Sequence, residues 1–495
     1  MSPLQRASFR RSSPVGAQWW ILLVLGLSGA GLAASQAGCS TAAPPNVVLI
    51  TVDTLRADHL HVYGFPLETS PSIDALAARS ALFERAISAS AYTGPSHASM
   101  MTSKYPRAHS MGYSNGQLKL APTHTLAAVF RDAGYDTAAF VSNDIVARRS
   151  GLDQGFGTYD DELPQPELHR PKVFERIAEQ TTRRALAWLD NRHGHPFFLW
   201  VHYQDPHGPY TPPAPYRDRF RLPSSGEPEL NVLTDESGFG GIPHYQELEG
   251  LRRPSEYESR YAGEIAYADY WIGQLLAQTE ARSAPRPLVV LLTADHGESF
   301  GEDNVYFAHG HSTTPDVSHV PMILHLPDGT GERRAELVSH VDVMPTLLEA
   351  AGLAVPPDVE GLPLTRVLRK GAVIPERPVF CDIGYELSVY RQDEFLRATF
   401  IPQKSWDVAM FYQSGQAARQ GKVVGPADLK AEQTFRWGGG KTWSATDADP
   451  QLKKDLLTYL DKEKPAAAGA AVALGPADAE RLHALGYAAT PNVDQ

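Results

Sequence analysis

Three short apolar runs, residues 47–52, 197–202 and 287–292, constrain this chain more than any other feature. The first, Val47-Val48-Leu49-Ile50-Thr51-Val52, is rich in β-branched residues and too short for a buried helix. It lacks the polar alternation of a half-exposed strand, so it predicts a strand covered on both faces, as in a parallel sheet. A fourth run, Thr137-Ala138-Ala139-Phe140-Val141, has the same character. Helical patterns lie between these runs. Ser70 can cap and Pro71 can open a helix whose face comprises Ile73, Leu76, Ala77, Ser80, Phe83 and Ile87. Phe174, Ile177, Thr181, Ala185 and Trp188 also recur at helical spacing. Alternating strands and helices predict an α/β fold, with a doubly wound, mostly parallel sheet and helices on both faces. Ligands collect at the carboxyl ends of such strands. Three polar groups stand there: Asp53, the stretch Gln204-Asp205-Pro206-His207-Gly208-Pro209-Tyr210, and Asp295-His296.

With 495 residues, the chain suits one large α/β domain and a smaller partner. The expected divisions are residues 1–44 as leader and linker, 45–370 as the catalytic domain, 371–464 as a small antiparallel α+β module, and 465–495 as an Ala/Gly-rich linker with a short helix at 477–485. Residues 222–254, rich in Pro, Gly, Ser and Glu, read as a long surface excursion, a lid or substrate loop. The formal charge is -12, and losing the leader's Arg6, Arg10 and Arg11 would take it to -15. Such an acidic chain is a poor partner for nucleic acid or an anionic membrane surface, both of which need a basic footprint. An anionic small substrate stays open, because a bound metal reverses the local field.

The leader joins those arginines to an apolar stretch and then Gly38-Cys39, a pattern resembling a bacterial lipoprotein signal. The expected place is therefore the periplasm or cell envelope, with Cys39 lipidated, while Gln36 also admits plain cleavage or an uncleaved anchor. The only other cysteine is Cys381, so no disulfide framework exists.

The residues past the strands suggest chemistry. Asp53 could bind a cation without deep burial, or simply serve the turn that follows it. Asp295-His296-Gly297-Glu298 places oxygen and nitrogen ligands together, with Gly297 permitting a sharp turn. Thr93, two residues before Pro95, falls in the first turn of a helix running through Ala98 to Thr102, where free N–H groups face an anion. It is either a cap or a nucleophile, and a hydroxyl becomes a nucleophile only when a metal or base removes its proton. Asn143 could donate to an anion or merely end a strand.

Together these segments resemble the sulfatase family of the alkaline phosphatase superfamily. The resemblance rests on residues 45–64, Thr93-Gly94-Pro95-Ser96-His97 and its continuation to Pro106, 134–143, 202–210, 257–273, Asp295-His296-Gly297-Glu298, 309–321 and Asp342-Val343-Met344-Pro345-Thr346. It implies an alkaline phosphatase-like fold and hydrolysis of sulfate or phosphate esters. Three departures stand out. Thr93 occupies the place of the formylglycine-forming cysteine or serine, His97 that of an arginine, and Thr54 that of the second aspartate of an Asp-Asp pair. By resemblance to threonine-using members of the superfamily, Asp53, Thr93, Asp295 and His296 would hold one divalent metal ion. That donor set favours Zn²⁺ or Mn²⁺, with Ca²⁺ possible. Thr93 would be the metal-activated nucleophile and His207 the general acid. His309 would face the transferred group's oxygens, with His97, Asn143 and His311 binding substrate. His202 and His319 would be structural, or would stand behind the residues that touch metal and substrate.

The implied partner is a small-molecule, glycan or lipid ester, with membrane contact only through the leader. Two rival functions remain at this level: a transferase passing a phospho-group to an envelope glycan or lipid, and a non-catalytic envelope binding protein on the same fold.

Overall fold

The computed structural model describes residues 43–462 apart from 110, 112–118, 193, 225, 330, 369–371, 401–424 and 438–441. The leader with Cys39, the linker after 464 and the expected helix at 477–485 lie outside the described residues. Eight strands form the central sheet: β1 (Asn46–Val52), β2 (Ala81–Ile87), β3 (Asp136–Phe140), β4 (Thr158–Asp160), β5 (Phe197–Tyr203), β6 (Leu288–Ala294), β7 (His319–His325) and β8 (Glu332–Ser339). Their order is β8-β2-β7-β6-β1-β5-β3-β4, and only β7 runs against the rest. Every residue of β1 and β5 is buried, as the unbroken apolar runs require.

The helices sort into two packed groups flanking the sheet. In one, α1 (Pro71–Ala77) and α4 (Ala178–Asp190) pack on the long α5 (Pro254–Ser283). In the other, α2 (Thr93–Thr102), α3 (Leu126–Asp132) and α6 (Val343–Ala350) pack together. α4 shows why: Thr181, Ala185 and Leu189 are buried, while Arg183 is exposed on the opposite side.

Two helical expectations end early. α1 stops at Ala77, and Phe83 and Ile87 belong to β2, which pairs with β7 and β8. Phe174 lies in the strand Arg170–Glu175, and α4 starts only at Ala178. In both places pairing with distant strands overrides a local helical period. Nor is the segment at 222–254 a bare surface excursion. Asn231–Val232 pairs with Gly241–Ile242, and Tyr245 and Gln246 are buried.

The final described region is an antiparallel sheet of β9 (Val379–Asp382), β10 (Glu386–Arg391), β11 (Glu394–Thr399), β12 (Ala431–Trp437) and β13 (Trp443–Ala445), with α7 (Pro450–Lys462) beside it. It is fastened to the rest of the fold. Phe380, Leu387 and Val389 share an apolar cluster with Ala89, Tyr105 and Val341, and Asp382 N–H donates to Ala89 O at 3.0 Å. Among the described residues, no helix is long and apolar enough to cross a membrane.

Candidate active site

Sheet register builds the site. Val52 pairs with Ala294 on one side and Tyr203 on the other, so Asp53, Asp295 and Gln204 emerge side by side. α2 then delivers Thr93 as its first residue, with no side chain capping its N-terminus. Pro95 has no N–H and Ser96 N–H is bonded to Tyr92 O at 3.0 Å, so the helix start attracts an anion by its dipole rather than by a row of free donors.

Thr93 Oγ1 lies 3.2 Å from His296 Nε2. His296 Nδ1 lies 2.9 Å from Gly297 O, which can only accept, so the ring proton sits on Nδ1 and Nε2 presents a lone pair. Asp295 Oδ1 accepts the N–H of Thr54 at 3.1 Å and of His296 at 2.8 Å, but Oδ2 is buried without a partner. Asp53 has the same asymmetry. Its Oδ2 accepts from Asn143 Nδ2 at 2.6 Å, whereas Oδ1 has no partner. Ligand atoms of Asp53, Asp295 and His296 all lie within 4.8 Å of one another. Burial raises the Asp53 pKa to about 7, although His296 and Asn143 pull it down. Two buried carboxylates with orphaned oxygens beside an imidazole lone pair fit one divalent cation, which would relieve that desolvation. The donor set is mixed in oxygen and nitrogen.

Thr54 carries strain at this centre. It adopts φ 54°, a region a β-branched residue rarely occupies, and its hydroxyl is buried without a partner. Two bonds hold it there: its N–H to Asp295 Oδ1, and Tyr261 O–H donating to its carbonyl at 2.7 Å.

His97 sits beneath the site, wholly buried, with both ring nitrogens engaged. Nδ1–H donates to Thr93 O at 2.8 Å, and Nε2 accepts from Thr51 Oγ1 at 3.0 Å, which in turn accepts from Trp200 Nε1 at 2.9 Å. Burial lowers its pKa to about 3, so the ring is a neutral brace under the first turn of α2. His97, His202 and Asp295 are also close enough to group around a cation, but His97 would first have to surrender those bonds.

The other side of the site is a row of imidazoles. The His309 ring is 4.4 Å from His296 and 5.3 Å from His207. Glu298 Oε1 lies 3.0 Å from His309 Nδ1, and Glu298 Oε2 accepts from Tyr210 O–H at 3.1 Å. Burial raises the Glu298 pKa to about 8 and lowers that of His309 to about 4. His207 Nδ1–H donates to Gly208 O at 2.7 Å, leaving Nε2 outside that bond. Burial first, then the neighbouring His309 and Arg170, hold its pKa well below the ordinary value. His311 is placed apart: it is buried, lies 3.2 Å from Ser299 Oγ through Nε2 and meets Phe239 edge-on.

The structure adds residues that the sequence left without a role. Glu298 was visible in the Asp-His-Gly-Glu segment, but its contact with His309 was not. Tyr245, whose ring lies 6.3 Å from His207, comes from the supposed surface excursion. Arg170 stacks on Tyr245 at 3.8 Å and pairs with Glu167. No local signal marks these two, since distant segments bring them together.

Comparison with known proteins agrees with this architecture. A sulfatase family model matches residues 45–353. An arylsulfatase of Clostridium perfringens is 24% identical over 385 residues, covering 66% of this chain and 79% of that protein. An N-acetylglucosamine-6-O-sulfatase of Bacteroides thetaiotaomicron is 23% identical over 407 residues, covering 67% of this chain and 72% of the relative. The crystal structure of a phosphonate monoester hydrolase of Agrobacterium radiobacter shares the fold, with a TM-score of 0.56 at 20% identity over 72% of this chain and 87% of that one. Because the family model spans more than half of the sequence, the chain belongs to the sulfatase family of alkaline phosphatase-like ester hydrolases.

Proposed function

We propose that the protein hydrolyses sulfate or phosphate esters with the aid of one divalent cation, using Thr93 as nucleophile and His207 as general acid. One observation carries this reading: Thr93 Oγ1 stands at the start of α2, 3.2 Å from His296 Nε2, beside the orphaned oxygens of Asp53 and Asp295. A cation held by Asp53, Asp295 and His296 would supply Lewis acidity, favouring the ionised threonine and spreading charge on the ester.

The chain's own residues do the rest. Thr93 Oγ1 forms the new bond to phosphorus or sulfur while the bond to the alcohol oxygen breaks. The positive end of the α2 dipole faces the non-bridging oxygens as charge builds on them. His207 Nε2 delivers a proton to the departing oxygen, and His309, fixed by Glu298, faces the transferred group. An anionic ester raises the pKa of His207 as it binds, opposing burial and the neighbouring cations. Water then cleaves the threonyl ester. A formylglycine hydrate sheds sulfate by elimination, which threonine cannot do, so Thr93 favours phosphate esters, while two named relatives act on sulfates.

The test is a panel of aryl sulfate, phosphate monoester, phosphodiester and phosphonate substrates with Zn²⁺, Mn²⁺ and Ca²⁺. Thr93→Ala should lose about a thousandfold or more in kcat on whichever ester is turned over. Full turnover by Thr93→Ala would remove Thr93 from the chemistry. Export and lipidation are part of the same reading: labelled fatty acid should be incorporated by the full chain and not by Cys39→Ser.

A further inference from the structure

Three neighbouring strands end around one oxygen of Asp53. β1 leads into Asp53, β3 leads towards Ser142 and Asn143, and β5 supplies His202 with Gln204 just past its end. Hydrogen bonding fixes the orientation of the Asn143 amide. Oδ1 accepts the N–H of Ile145 at 3.1 Å and of Val146 at 3.2 Å, while Nδ2 donates to Asp53 Oδ2 at 2.6 Å and Gln204 Oε1 at 2.8 Å. A flipped amide would oppose all four bonds. The tautomer of His202 is fixed too. Ser142 N–H donates to Nδ1 at 3.3 Å, so the ring proton sits on Nε2, 3.6 Å from the same Oδ2. That nitrogen is buried and has no hydrogen-bond partner among the described residues. Ser142 holds the ring's own backbone as well, donating through Oγ to His202 O at 2.6 Å.

We propose that Asn143 is a positioning residue that clamps Asp53 through Oδ2, with the His202 ring facing the same oxygen from 3.6 Å, so that the carboxylate offers a cation one oxygen, Oδ1. The inference rests on the metal-site reading above and adds how that site is shaped. A carboxylate pinned on one side cannot swing to chelate through both oxygens. The Asn143 amide is spent on Asp53 and Gln204, so Asn143 acts through Asp53 and not on the ester.

The test measures Zn²⁺ and Mn²⁺ affinity of metal-stripped protein by competition with a chromophoric chelator, beside the metal-free Tm. Asn143→Leu should weaken binding about 10–100-fold, the usual cost of losing a group that orients a ligand. Asp53→Ala should weaken it as well, and adding Asn143→Leu to Asp53→Ala should cost nothing further, because the partner is already gone. If Asn143→Leu lowers the metal-free Tm, Asn143→Ser takes its place in the same cycle. Wild-type affinity in the clamp variant, or additive losses in the double variant, overturns the clamp while leaving the metal site intact. Wild-type affinity in Asp53→Ala overturns the metal site itself, and the clamp with it.

Discussion

Two buried histidines away from the metal ligands, His319 and His340, oppose folding at acid pH. Burial holds His319 at a pKa of about 4 and His340 at about 3, with neighbouring histidine charge adding to the effect at His340. The unfolded chain takes up a proton on each near pH 6.5, whereas the folded chain refuses it. Stability is therefore fully present above about pH 6.5 and falls as pH drops towards 4 and 3, by up to about 1.4 kcal/mol per pH unit for each histidine. Buried carboxylates raised to about 7–8, such as Asp53 and Glu298, act in the opposite sense, so the histidine contribution is read as a difference: in urea unfolding of chelator-treated protein, the stability of His319→Gln relative to wild type should rise as pH falls from 7.5 to 5.5. A difference that does not change with pH would mean that His319 does not supply it. A second residue-scale outcome concerns cations. Zn²⁺ or Mn²⁺ should raise Tm in a concentration-dependent way, and Asp295→Ala should abolish the shift, as measured by scanning calorimetry.

At this scale the sequence was readable where a polar residue directly follows an apolar run, as with Asp53 and Asp295-His296. His97 was not readable. Whether its ring meets substrate or turns back to Thr93 O depends on Thr51 and Trp200, which belong to two other strands.

Elements were legible where their pattern matched a single environment. β1, β5 and β6 were evident because strands covered on both faces leave an apolar run. β2 was hidden because Ala81-Leu82-Phe83-Glu84-Arg85-Ala86-Ile87 continues the helical face of α1, and only pairing with β7 and β8 reveals it as a strand. Gly297 teaches a related lesson. Its φ lies outside the left-handed region, so a sharp turn does not explain it. A Cβ there would lie 2.1 Å from Asp316 O, so the glycine is needed for close approach of two backbone segments at the reactive rim. Gly297→Ala should destabilise the fold by about 1–3 kcal/mol and weaken cation binding through His296 next door. Matched denaturant curves and chelator competition would show both effects, and a variant with wild-type values would put the need for glycine elsewhere.

For the molecule as a whole, the C-terminal sheet is part of the architecture that holds Thr93. Ile383 and Tyr385 share an apolar cluster with Ala91 and Tyr92, directly before Thr93, and Tyr385 O–H donates to Gly310 O at 2.6 Å, next to His309. Ending the chain after residue 370 would uncover Ala89, Tyr105 and Val341 and free Ala89 O. Such a fragment should aggregate or lose its cooperative unfolding transition, as followed by circular dichroism and light scattering. A soluble fragment with native melting would contradict that dependence. None of this coupling could be read from sequence, where the two regions looked like separable modules.

The reversed direction of β7 has its own consequence. Because β6 and β7 are antiparallel neighbours, the chain leaves the sheet after Ala294 and re-enters at His319 from the same end. The stretch between them, which carries His296, Glu298, His309 and His311, needs no crossing to the far side. Its side chains therefore stay at the end of the sheet where Asp53 emerges, and its close packing, with Gly297 against Asp316 O, leaves little room for its length to change.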